Sequence, residues 1–238
     1  LYIDYVRGLY SVLERVREKY PDVPMMLCSG GGGRGDYEIL KYFTEFWLSD
    51  DTDPLERIFM QWDYSYFFPA IASDCHVTNW GDQSLKYRVD VASMGKLGFD
   101  IVASELSEDE MTFCKQAVSS YHSFKDVVWH GDLYRLVNPH KNDLSSLMYV
   151  DEEQGRAVMF NYLVNNRFML TASEEPIRLD GLDPLKTYRI RELNLFPGTR
   201  SRFRADKAYS GDYLMKVGIN PGISLRRTSV VLELTEVP

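Results

Sequence analysis

The sequence predicts two architectures in series: the second half of a (β/α)₈ barrel, then a C-terminal antiparallel β-sandwich. Three observations carry this. Over the first 130 residues, short apolar runs alternate with capped, helix-periodic segments, the grammar of strand–helix units in a parallel sheet. From about Leu136 that grammar gives way to short, part-alternating runs separated by Gly, Pro, Asn and Asp turns. The alternating part holds about four strand–helix units, half of the eight that close a barrel. The division is drawn at residues 1–135 and 136–238.

Residues 4–20 open the chain as an amphipathic helix, with Tyr5, Leu9, Val12, Leu13 and Val16 at three- and four-residue spacing before Pro21. VPMMLCS, residues 23–29, is a continuous apolar run suited to a strand buried on both faces. A glycine loop follows, and residues 37–46 read as a short helix. FWLSD, residues 46–50, is the second strand run, ending at two acids. Asp53 then caps a helix with Pro54 at its first position, and Glu56 and Arg57 lie in that turn. YFFPAIASDCHV supplies a third strand ending near His76, and LGFDIVAS, residues 97–104, a fourth. Ser107 and Glu110 form capping-box letters for a long helix to about Gly131. Beyond it, SLMYVD, RAVMFNYLV, PIRLDGL, TYRIREL, YLMKVGI and SVVLELTEV read as the sandwich strands.

Half a barrel has two open edges and an exposed core, which a lone domain tolerates poorly. With a structured helix at the first residues, this predicts a piece of a longer polypeptide, any localisation signal lying in the rest of it. Net charge is −8 with a pI near 5.1, and the basic residues form no long cluster, which argues against nucleic-acid and anionic-membrane partners. No apolar run approaches the roughly 20 residues of a membrane span. Cys28, Cys75 and Cys114 are widely spaced without a C-x-x-C pair, against a disulfide framework or structural zinc. No cofactor or metal is expected. The 16 Tyr, 12 Phe and 4 Trp suit stacking on sugar rings as well as filling a core.

CSGGGGRGD, residues 28–36, allows several readings. Gly30, Gly32 and Gly35 match the letters G-x-G-x-x-G, with Asp50 downstream, and Arg34-Gly35-Asp36 is an adhesion tripeptide; both arise cheaply in a glycine run. Against a dinucleotide site, Asp36 would repel pyrophosphate at the helix start, and the following helix is short for that unit. No Lys-Ser or Lys-Thr follows for a phosphate loop. A purely structural turn and a loop that lets ligand touch backbone stay open, the second explaining the glycines better. In barrels of this kind chemistry sits after the strands' C-terminal ends, where Cys28, Asp50 and His76 fall.

CSGGGGRGD followed by WLSDDTDPLERIFMQ resembles the signature of glycoside hydrolase family 36 α-galactosidases, C-(S/A)-x-G-G-(G/N)-R-x-D and then W-x-S-D-x-T-D-x-x-x-R. CHVTN, KYRVDVASMGKLGFDI and YHSFKDVVWHGDLYRL continue the likeness over most of residues 1–135, and the later β-domain resembles the family's C-terminal sandwich more weakly. The resemblance implies retaining hydrolysis of terminal α-galactosides of the raffinose and melibiose type, by two carboxylates about 5–5.5 Å apart. By motif, Asp50 matches the general acid/base, and Cys28, Gly30 and Gly31 match the galactose-contacting loop. Arg34 and Asp36 read as loop braces, His76 as a substrate-orienting or core histidine, and Asp51 and Asp53 as capping residues. Tyr37-Glu38 departs from the family's glycine after the loop aspartate. The family's nucleophile lies in a K-W-D tripeptide absent here; QWDYS, residues 61–65, lies downstream of the acid/base and is not its equivalent. The isolated chain is therefore expected to be inactive, and the full-length protein to be a homo-oligomer. Two alternatives accompany this reading: galactosyl transfer as in raffinose-synthase-like members, and a catalytically silent carbohydrate-binding protein.

Overall fold

A computed structural model describes residues 1–165 and 175–237. Strands β1 (Met26–Leu27), β2 (Glu45–Trp47), β3 (Ser73–Val77) and β4 (Lys96–Phe99) pair in parallel in sequence order. Alternation sends Leu27, Phe46, Cys75 and Val77 to one face. There they pack against α1 (Tyr2–Lys19), α2 (Pro54–Tyr64), α3 (Leu85–Ala92) and α4 (Glu108–His130) through Leu13, Tyr64, Val89, Ala92, Phe113 and Ala117. The opposite face carries Glu45, Trp47, Asp74, His76 and Lys96, with Trp47, Asp74 and Lys96 in one register row.

The helix starts follow their caps. Asp53 Oδ1 accepts from the Leu55 and Glu56 amides at 2.8 and 3.4 Å, with Pro54 at the first position. Ser107 and Glu110 close a complete capping box on α4.

The second sheet is antiparallel, in the order β5-β6-β7-β10-β8-β9. Its strands are β5 (Asp132–Val137), β6 (Leu144–Val150), β7 (Arg156–Leu163), β8 (Thr187–Leu193), β9 (Ala208–Ser210) and β10 (Ser229–Val237). One face gathers Met148, Met159, Leu232 and Leu234 over the loop residues Leu179, Leu182 and Ile223 and over Leu214 of α5 (Gly211–Lys216). The other face presents Leu147, Val158, Phe160 and Val231 to α3 and α4. The buried carboxylate of Asp90 on α3 locks the two sheets together: it accepts from Asn194 Nδ2 at 2.9 Å, Ser229 Oγ at 2.7 Å and Lys86 Nζ.

Several expectations need correction. Residues 23–29 yield a strand of two residues, and Met26 is 44% exposed on the polar face, so the strand is buried on one side only. Residues 37–46 hold a three-residue 3₁₀ turn, Ile39–Lys41. Asp36 Oδ1 caps Ile39 at 2.9 Å, but Thr44 is already drawn into sheet pairing through Met25 O, leaving no length for a helix. YLMKVGI enters α5, where Ser210 Oγ caps Tyr213 and Lys216 pairs with Asp212 one turn away. PIRLDGL is a loop that bridges once, Ile177 to Ile219. Helix α3, over residues 85–92, escaped the coarse reading because it is buried nearly all round and shows no polar stripe.

Candidate active site

The glycine loop rests directly on the end of β2. Gly32 N donates to Leu48 O at 2.9 Å, and Ser29 N donates to Gly31 O at 2.8 Å. Gly30 and Gly31 have φ of +56° and +77°, the left-handed region that glycine reaches at no steric cost. A Cβ on Gly31 would stand 2.6 Å from Ser49 Cα, so only a bare backbone seats here. The loop and the Trp47-Leu48-Ser49-Asp50 segment therefore form one unit at the C-terminal end of the parallel sheet. Cys28, Gly30 and Asp50 are exposed on it, and Gly31 is buried against Ser49.

Asp50 Oδ1 accepts from the Trp47 indole N–H at 3.1 Å. The Trp47 ring lies 4.5 Å from the His76 ring and 4.6 Å from the Arg57 guanidinium. Burial lowers the His76 pKa, opposed by Asp100 and reinforced by Arg57, so the ring gives up its proton below the pH at which an ordinary histidine does. Burial also raises the Asp74 carboxyl to about 7, with Glu45 adding to the effect and Lys96 and Arg57 opposing it. Asp51 Oδ1 accepts from the Asp53 amide at 2.9 Å, which fits the capping role read for both residues.

Arg34 and Asp36 tie the loop to α1 rather than to each other: Arg34 Nη2 donates to Tyr5 OH at 2.8 Å, and Tyr10 OH donates to Asp36 Oδ2 at 2.6 Å. Arg57 closes the W-x-S-D-x-T-D-x-x-x-R signature, yet sequence reasoning gave it no task beyond its helical turn. A second signal was its place, with Gln61, on the buried stripe Pro54, Ile58, Trp62 of α2, where a cation calls for an explanation. Among the described residues no group of three or more His, Cys, Asp or Glu could hold a metal ion, and no helix is long and apolar enough to cross a membrane.

A melibiase family model matches residues 2–131, and a glycosyl hydrolase family 36 C-terminal domain model matches residues 144–234. The chain belongs to glycoside hydrolase family 36. Alpha-galactosidase 2 of Hypocrea jecorina is 32% identical over 90% of this chain and 29% of its own length. Alpha-galactosidase AgaA of Geobacillus stearothermophilus is 31% identical over 90% of this chain and 28% of its own length. The family 36 chain thus spans under a third of these relatives. The solved galactosidase domain of AgaSK superposes with a TM-score of 0.87 at 28% identity, over 99% of this chain and 32% of that one. A substituted AgaA solved in complex with raffinose gives 0.85 at 29% identity, over 97% and 31%. The parallel sheet is accordingly the second half of a (β/α)₈ barrel, and the antiparallel layer is the family's C-terminal β-sandwich.

Proposed function

We propose that this chain is the C-terminal portion of a retaining α-galactosidase, with the barrel part over residues 1–135 and the sandwich over 136–238. In this reading Asp50 is the general acid/base, and the nucleophile lies on polypeptide before Leu1. Cys28, Gly30 and Gly31 line the galactose, and the substrate is an oligosaccharide ending in α-linked galactose. The observation that carries this is the seating of Gly31 on Ser49, which brings the glycine loop and Asp50 to one end of one sheet. The solved relatives bound to raffinose and stachyose support the substrate class. Asp50 protonates the departing glycosidic oxygen, then deprotonates the water that attacks the galactosyl-enzyme. Trp47 holds one carboxylate oxygen by its N–H, leaving Oδ2 to face the leaving group. Backbone at Gly30 and Gly31 admits the sugar where side chains would collide with its hydroxyls.

The test is Asp50→Asn in the full-length parent. A substrate with a poor leaving group loses most of the roughly 10²–10⁴-fold that general acid catalysis supplies. An activated aryl galactoside still forms the galactosyl-enzyme, which accumulates because water lacks its base. Azide, needing no base, restores turnover and yields the α-galactosyl azide, since it attacks from the face opposite the nucleophile. Equal losses on both substrates without azide rescue would reject the assignment.

A further inference from the structure

Arg57 is 4% exposed, and among the described residues it makes no ion pair. Asp51, Asp50 and Asp74 act on it electrostatically from a distance, and burial still lowers its pKa. A buried cation without an ion-pair partner is costly, so its site must offer something else. It offers two contacts towards the candidate acid/base. Nη2 donates to Ser49 O at 3.2 Å, and the guanidinium lies 4.6 Å from the Trp47 ring centre. Trp47 in turn aims its N–H at Asp50 Oδ1 at 3.1 Å.

Behind Arg57, between α2 and α3, lies a small cavity bounded by Thr52, Gln61, Cys75, His76 and Arg88. It leaves about 10 Å³ for the centre of a water molecule, close to the least that one water needs. Among the described residues, three buried polar atoms of its lining have no partner: Arg57 Nη1, Arg88 Nε and Gln61 Oε1. Two donors and one acceptor match a single water, which typically makes about three hydrogen bonds.

We propose that Arg57 is a positioning residue for the acid/base, clamped from behind by one bound water that it shares with Gln61 and Arg88. The proposal rests on the reading of Asp50 given above. Held at its rear edge, the guanidinium fixes the Ser49 carbonyl and the Trp47 ring together, and these two set where the Asp50 carboxyl points. Lysine keeps the charge but has neither the planar fork nor the flat face.

The experiment compares Arg57→Met, Arg57→Lys and Trp47→Phe in the full-length parent on two α-galactosides, one with a poor and one with an activated leaving group. Misplacing a catalytic group costs about 10²-fold, so kcat on the poor leaving group falls by that order in Arg57→Met. The activated substrate's first step falls several-fold less, and KM changes little. Arg57→Lys recovers thermal stability but not this selectivity. Trp47→Phe, which keeps a stacking ring but loses the N–H, shows the same selective loss, and the double variant is no worse than the worse single. A crystal structure of the parent shows one water within hydrogen-bond reach of all three orphan atoms. Equal losses on both substrates, tracking the melting temperature, would overturn the positioning role. A carboxylate from elsewhere in the parent paired with Arg57 would overturn the clamp. Azide rescue in Asp50→Asn separates the two readings: with rescue intact, a failure here falls on Arg57 alone; without it, both fall.

Discussion

The four parallel strands run two to five residues, and one of their faces is polar, crossed by the Lys96–Glu45 ion pair and the buried Asp74 carboxyl. Strands β6, β7 and β10 run seven to nine residues, and most of their side chains are buried on both faces. In β7 the consecutive residues Val158, Met159 and Phe160 are all fully buried, feeding the two cores in turn. The difference separates tasks. The parallel part keeps ionisable groups and a bare-backbone loop where a ligand can reach them, at a cost in apolar burial. The antiparallel part ties its buried central-strand carboxylate, Glu233 of β10, into ion pairs with Arg156 of β7 and Arg191 of β8, and supplies the stable base.

The largest expected effect comes from cutting the tie between them. Asp90→Ala removes the acceptor shared by Lys86, Asn194 and Ser229, leaving buried donors unpaired. Breaking a buried ion pair from one side costs about 3–5 kcal/mol. Hydrogen exchange on the full-length protein checks where the loss falls: β2 to β4 should lose protection well before β7 and β10. Equal loss in both sheets would mean that they open as one unit and that the division of labour is wrong.

The same contrast explains what the sequence disclosed. Two caps were legible: Asp53-Pro54 and Ser107-Glu110 start α2 and α4 where their letters say, whereas the Ser84 and Ser210 caps of α3 and α5 went unread. The strands of the antiparallel sheet were legible where burial on two faces makes a long apolar run, as in RAVMFNYL. What failed was decided by distant contacts. Residues 37–46 carry helix-compatible letters, yet Thr44 pairs with Met25, and a bond across that distance leaves no local trace. YLMKVGI alternates well enough for a strand, but Ser210 and Asp212 cap and charge a helix start that the apolar pattern alone does not reveal. At the candidate site, the motif picked out Cys28, Gly30, Gly31 and Asp50. Arg57, the closing letter of the second motif, and Asp74 were given no role because their significance lies in being buried beside neighbours from other elements.

A smaller effect sharpens the account of the loop. Gly30→Ala meets nothing within 4 Å, so its cost is the left-handed φ of +56° alone, about 1–2 kcal/mol. Gly31→Ala has the same kind of strain and also drives a Cβ against Ser49 Cα, backbone against backbone. It should cost about 1 kcal/mol more than Gly30→Ala, within the range of strained or overpacked sites. Denaturant midpoints of the two variants measure the gap. Equal midpoints would mean that the loop does not rest on β2 in solution.

The last effect is set by pH and belongs to Asp74. Burial raises its carboxyl from the ordinary 3.8 to about 7, so the folded protein holds this proton more tightly than the unfolded chain does. Where the folded state binds more protons, stability falls as pH rises. The contribution is therefore full below about 3.8, declines across the window up to about 7, and is gone above it. This is opposite in sign to a carboxylate held ionised by a salt bridge. Asp74→Asn keeps the shape and cannot ionise, so it should remove that decline. Measured from pH 4 to 7.5, the denaturant midpoint of the parent should fall relative to Asp74→Asn, with the change confined to protection of β2, β3 and β4. Parallel profiles for the two proteins would mean that Asp74 is ionised throughout, and that Lys96 and Arg57 outweigh burial on the polar face of the barrel half.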